Sequence, residues 1–190
     1  MERNYSEDKK FEKTDFTKEP LLKGDYENCI FSNCDLSNND LSEIRFVDCE
    51  FSNTNLSLTK LIKTSFKDVQ FNNCKLAGLH FENCDDFLFS VSFEHCTLNL
   101  SSFYGLKLKK TNFKHCILHE VDFTDADLSS SVFHDCDLLN AIFKNTILEK
   151  ADLQTAYNYS IDPESNSIKK AKFSVNGIAG LLHKYDIDIS

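Results

Sequence analysis

Any chemistry this chain performs has to come from its cysteines, histidines and carboxylates, and these are regularly spaced. Of eight cysteines, Cys74, Cys96, Cys116 and Cys136 follow one another at intervals of about twenty residues. His95 and His115 are twenty apart, and Asp135 lies twenty further on. Two imidazoles and a carboxylate can ligate a metal, a row of thiols can be a redox site, and paired acids such as Asp125 and Asp127 can serve general acid catalysis. Thiols need solvent access and positive neighbours to react, and general acid catalysis needs an enclosure. A nucleophile elbow, a P-loop, a dinucleotide fingerprint and zinc-finger spacing are all missing from the sequence.

Which setting these residues have depends on the elements that carry them, and here the chain has a period of five. Bulky apolar residues recur at Phe11, Phe16, Leu21, Tyr26, Phe31 and onward to Phe81, then at Leu88, Phe93, Leu98, Phe103 and onward to Leu153. Neither a helix, with period 3.6, nor a flat strand, with period 2, accounts for this. Two residues before most bulky positions stands a small side chain, such as Cys34, Cys49, Thr54, Cys74, Ala126 or Ala151. In extended chain residues two apart share a side, so each five-residue unit sends one small and one large side chain inward and turns a corner with the polar remainder. Coils of this kind stack through parallel-strand hydrogen bonds.

These units resemble the pentapeptide-repeat family, whose motif is a small residue, Asp or Asn, Leu or Phe, then two polar residues. Cys34-Asp35-Leu36-Ser37-Asn38 and Ala126-Asp127-Leu128-Ser129-Ser130 match it closely. The resemblance implies an all-β solenoid, a right-handed quadrilateral β-helix with four units per coil. Four-sidedness predicts that residues twenty apart stack. One such column reads Phe11, Phe31, Phe51, Phe71, Phe93, Phe113, Phe133, Leu153 and the next Phe16, Leu36, Leu56, Leu76, Leu98, Leu118, Leu138. About seven coils at roughly 4.8 Å each give a rod on the order of 35 Å long.

In that frame the thiols face inward, as small hydrophobes in a reducing cytoplasm. The histidines form an outer ladder on a convex surface, and the acids lie on a rod without a cleft. A non-enzyme with no metal and no cofactor is expected. Met1 to Lys10 is charged and polar, unlike a signal peptide, and the chain has no apolar run of membrane-spanning length.

Net charge is −9 and unevenly spread: residues 25 to 50 hold seven acids against Arg45, and residues 120 to 137 hold six acids without Lys or Arg. Such a surface does not favour direct nucleic-acid binding, which needs a continuous basic face. It suits a basic protein groove, with Asp35, Asp40, Asp48, Glu50, Asp85, Asp86, Asp122, Asp125, Asp127, Asp135 and Asp137 as candidate contacts. The runs Phe31-Ser32-Asn33-Cys34-Asp35-Leu36-Ser37 and Phe46-Val47-Asp48-Cys49-Glu50-Phe51, with Ala179-Gly180-Leu181-Leu182 near the end, resemble the Qnr-type quinolone-resistance proteins. That resemblance implies a dimeric, DNA-mimicking rod that binds DNA gyrase or topoisomerase IV and protects it from quinolones. The alternative is an interaction scaffold with another protein partner. About 35 Å of duplex carries roughly 20 phosphate charges, so mimicry at a net charge of −9 has to be local.

Four departures from the repeat are expected. Residues 1–10 form a polar tail before a repeat body at 11–173. Two extra residues fall within 82–87, as a bulge that pushes Asp85, Asp86 and Phe87 outward. Residues 157–167 read as a loop, and 174–190 as an amphipathic helix with Ile178, Leu181, Leu182 and Tyr185 on one face, capped by Ser174 or Asn176 and followed by an edge strand containing Ile187. This end is expected to seal the core and to form a homodimer contact.

Overall fold

The fold, a computed structural model describing residues 4–188, is a parallel β-solenoid of about eight turns. Its register is the twenty-residue one: Phe11 pairs with Phe31, Phe31 with Phe51, Phe51 with Phe71, and Phe93 with Phe113. A nine-stranded sheet runs along one face from Lys10–Glu12 to Lys172–Phe173. A four-stranded sheet, Asn4–Glu7, Gly24–Glu27, Arg45–Val47 and Ser65–Lys67, covers a second face of the early turns. Beyond it that face continues through single bridges, Lys107 to Asp127 and Asp127 to Ile147. The other two faces are held by bridges of the same kind, such as Asp15 to Asp35 and Asp40 to Lys60.

The inward residues stack like on like. Along the Phe31 column, successive ring centroids are 4.6 to 5.4 Å apart from Phe31 to Phe133, and Phe113 lies on Phe133 at 4.9 Å and 4°. A second aromatic column, Tyr26, Phe46 and Phe66, gives way to a third, Phe81, Phe103, Phe123 and Phe143. Most of these rings are fully buried, each contributing about 1.5–3 kcal/mol through removal from water. All eight cysteines are free and buried in the small inward position. That position also has a hydrogen-bonding role. Cys74 Sγ lies 3.3 Å from the Phe51 carbonyl oxygen of the turn below, Thr54 Oγ1 donates to that of Phe31 at 3.1 Å, and Thr146 Oγ1 to that of Phe123 at 2.8 Å. Burial pushes the Cys49 thiol up to about 12 and raises that of Cys34.

Several expectations need correction. The chain enters the ladder at Asn4, because Tyr5 and Ser6 pair with Asp25 and Tyr26, so most of the segment read as a tail belongs to the first turn. Leu88 does not face inward: it is exposed with a left-handed backbone, and Phe89 packs on the core instead. The register shifts here to twenty-two, Val69 with Val91 and Phe71 with Phe93, so the two extra residues are absorbed without breaking the columns. Asp85, Asp86 and Phe87 do stand outward. Between Tyr157 and Ser167 the chain is a loop without strand or helix, as expected, but its ends belong to the ladder, Tyr157 bridging Asp137 and Ser167 bridging Ile147, and Tyr159, Ile161 and Asn166 are buried.

The expected C-terminal helix is two 3-10 turns, Ile178–Leu181 and His183–Tyr185. Gly177 and Gly180 each cost about 1 kcal/mol of helix propensity, and so short a segment cannot hold an α-helix alone. Both glycines are needed for packing, because a Cβ at either would collide with Tyr159. Ser174 Oγ accepts the Gly177 N–H at 3.0 Å, but Gly177, not Ser174 or Asn176, is the N-cap of the first 3-10 turn, and no side chain caps it. Leu181 packs on the end of the core and Leu182 is half-buried, whereas Ile178, Tyr185 and Ile187 are largely exposed. Lys184 ties this end down through Asp162 at 2.7 Å and Glu164 at 2.6 Å. Asp186–Asp188 form no strand, and Ile189 and Ser190 lie outside the described residues, as do Met1, Glu2 and Arg3.

Candidate interaction surface

Nine of the eleven candidate acids fall into two structural kinds. In Asp35, Asp40, Asp85, Asp122, Asp127 and Asp137, Oδ1 accepts the backbone N–H two residues on, at 2.8 to 3.3 Å. These are Asx turns, with the carboxylate holding the corner that follows it. Such carboxyls are stabilised in the ionised form. Hydrogen bonds from the Ser42 hydroxyl and N–H hold Asp40 below the ordinary carboxylate range. Burial pushes Asp127 up, but the Ser129 hydrogen bonds and Lys109, 3.1 Å away, more than offset it. Asp137 is likewise pushed up by burial and drawn lower overall by His119, at 2.8 Å, and Asn158.

Asp48, Asp125 and Asp135 are of the second kind, corner residues with left-handed backbones, which aspartate and asparagine tolerate well. Glu50 lies on a strand face, its Oε1 accepting from Asn72 at 3.3 Å, and Asp86 is exposed in the insertion. Beside it Phe87, 72% exposed, lines a depression shared with Arg45, Ser65, Lys67 and Asp85.

The candidates do not form one continuous acidic stripe. Asp35 and Asp137 share a column, but Asn55, Lys75, Thr97 and Ile117 stand between them. Asp40 and Asp122 are separated by Lys60, His80 and Ser102. Stacking does assemble one edge rich in acids that spacing alone did not single out, the corner column Asp8, Asn28, Asp48, Asp68. Asn28 Nδ2 donates to Asp8 Oδ1 at 2.5 Å, the backbone N–H groups of Asn28 and Asp48 donate to the carbonyls of Val47 and Lys67 in the next turn at 3.0 and 2.9 Å, and Glu27, Glu50 and Lys67 flank the column. Counting by twenties from Asp48 would have found Asp8 and Asp68. Beyond the insertion the same corner continues as Ser90, Lys110, Ser130, Lys150, Lys170 and changes sign. Ser90 Oγ donates to Asp68 at 2.9 Å where the two halves meet.

The expected histidine ladder is present, with the His95 and His115 rings stacked at 4.6 Å and 10°. No helix of the described residues is long and apolar enough to cross a membrane.

A stacked parallel coil with a closed apolar interior and a patterned exterior is a β-solenoid that can meet partners through its outer faces. The chain belongs to the pentapeptide repeat family: the family described as "Pentapeptide repeat region" matches residues 25–86 and 79–153. No curated protein matches it by sequence. Among solved structures it is similar to a trypsin-treated variant of QnrB1, a plasmid-mediated fluoroquinolone resistance protein, with TM-score 0.51, 16% identity, and 95% of this chain and 98% of that one covered. A second trypsin-treated QnrB1 variant gives 0.49 at 17%, covering 98% and 100%. HetL, a pentapeptide repeat protein involved in heterocyst differentiation regulation from the cyanobacterium Nostoc, gives 0.44 at 17%, covering 90% and 89%. At such identities the likeness concerns the fold.

Proposed function

We propose that this protein is a non-catalytic interaction protein that binds DNA gyrase or topoisomerase IV as a local mimic of DNA and so protects the enzyme from quinolones. The observation that carries this reading is the corner Asp8, Asn28, Asp48, Asp68, three acids and one neutral amide whose members rise by one turn each, roughly 4.8 Å. A DNA strand presents one phosphate per roughly 3.4 Å of axis, so the corner offers a sparser row of negative charge to a groove built for phosphates. Resemblance of the Phe31–Ser37 and Phe46–Phe51 runs to the Qnr-type proteins supports the same partner. Ile178, Leu182, Tyr185 and Ile187 at the C-terminal end supply the surface for a homodimer. Gyrase supercoiling in the presence of a quinolone tests it. The protein should restore supercoiling and D48K/D68K should not; no rescue at concentrations on the order of micromolar removes the reading.

One observation favours a second reading, an interaction scaffold for a different protein. The basic continuation Lys110, Lys150, Lys170 gives the corner opposite charge at its two ends, which suits a partner of matching bipolar charge better than a uniformly basic groove. Affinity capture that returns a specific partner unrelated to topoisomerases, and loses it on D48K/D68K, would favour this reading.

A further inference from the structure

We propose that His115, His134 and Asp135 form a surface site for one divalent transition-metal ion of the zinc class. Sequence spacing brought His95, His115 and Asp135 together, but the tertiary arrangement selects a different trio. His134 is adjacent to Asp135 in sequence, and stacking of the turns places both above His115. Asp135 Oδ2 lies 3.3 Å from His134 Nε2 and 3.6 Å from His115 Nδ1, and the three donor atoms are all within 4.8 Å of one another. Tetrahedral zinc with bonds of about 2.0–2.2 Å has ligand atoms about 3.3–3.5 Å apart, so a small inward movement of exposed side chains closes the set.

His95 is not part of the set: its ring lies parallel to that of His115, centroids 4.6 Å apart, and its nitrogens are not among the donor atoms that gather within 4.8 Å of one another. Its role is to brace the His115 ring by stacking.

Thr155 gives the site a supporting partner. Its Oγ1 accepts the Asp135 N–H at 2.8 Å and lies 3.3 Å from His134 Nδ1. With the Nδ1 proton held there, His134 Nε2 is left as the metal-facing lone pair. Two imidazoles and one carboxylate suit zinc, nickel or copper rather than calcium or magnesium, which prefer oxygen donors. Three protein ligands leave one position for water. One group opposes binding: Lys114 pairs in register with His134, beside the incoming cation.

The test is titration of the chelator-stripped full chain with zinc sulfate, followed by calorimetry. One ion per chain is expected to bind. H134A and D135N should weaken binding at least tenfold, T155V by about tenfold, and H95A by less than about threefold, while K114Q should tighten it. Circular dichroism should show each variant folded. A readout without mutation is copper(II) broadening of imidazole NMR signals, expected for His115 and His134 but not for His80 or His183. No saturable zinc binding by the unmutated chain, H134A binding as well as wild type, or equal broadening of all imidazoles would each overturn the proposal.

Discussion

In the turns before the insertion, the second aromatic column, Tyr26, Phe46 and Phe66, stands on the face next to the Phe31–Phe51–Phe71 ladder. In the turns after it, Phe103, Phe123 and Phe143 stand on the face opposite the continuing Phe93–Phe113–Phe133 ladder, and Leu108, Leu128 and Leu148 occupy the vacated column. Both halves keep two aromatic and two leucine columns per turn, and in both the two aromatic columns meet edge to face, Phe31 on Phe46 at 81° and Phe103 on Phe113 at 84°. The comparison teaches that the interior constrains volume per turn more strictly than the face on which each large ring sits. At the crossover Phe66, Phe81, Phe89 and Phe93 crowd one level, and Phe89, half-buried, lies where the two added residues are accommodated. The outer corner changes from acidic to basic at the same place, so the halves differ in surface charge as well as in core layout.

The largest expected effect tests whether the two second columns are equivalent. F46A and F103A should each lower stability by about 3–5 kcal/mol in urea unfolding, and a loss well under 1 kcal/mol for either would break the equivalence. Adding a third ring to a late turn is next. L108F should cost about 1–3 kcal/mol through overpacking, and L108F/F103L, which returns that turn to the early layout at constant volume, should recover part of the loss.

Acid is expected to separate the halves more gently. Asp127, Asp137 and Asp152 in the later half, and Asp40 in the earlier, have folded-state carboxyls below the ordinary 3.8. A lowered folded value stabilises the protein above the unfolded value and loses that contribution as pH falls through the folded one. Melting temperature should therefore drop below about pH 3.8, and D127N/D137N/D152N should flatten this acid limb more than D40N does. The smallest effect on stability belongs to the exposed corner. D68K should change stability by no more than about 0.5 kcal/mol while weakening partner binding most at low salt.

Much of this is legible in the sequence. The small and large inward positions, the like-on-like columns and the burial of every cysteine follow from a five-residue period, because extended chain alternates sides and the corners repeat. Leu88 was misread because counting by fives cannot say where inside an insertion the inward position resumes. The C-terminal segment looked helical because its apolar spacing is, yet two glycines pressed on Tyr159 override that pattern. Asp35, Asp122 and Asp127 are picked out as candidate contacts by charge alone, and the Oδ1 bond by which each also holds a corner is not written in its spacing.

What the amino-acid order determined by itself is the coil: which side chains enter the core, how many residues make one turn, and that aromatic rings lie over aromatic rings. These are local consequences of side-chain size and strand alternation, repeated until they become global. Only the tertiary structure decided which outward groups become neighbours, that Asp8, Asp48 and Asp68 share one edge, and that His134 joins His115 against Asp135 while His95 only stacks on His115. Contacts between turns depend on register and on the directions in which exposed side chains extend, and the core's periodicity constrains neither of those directions.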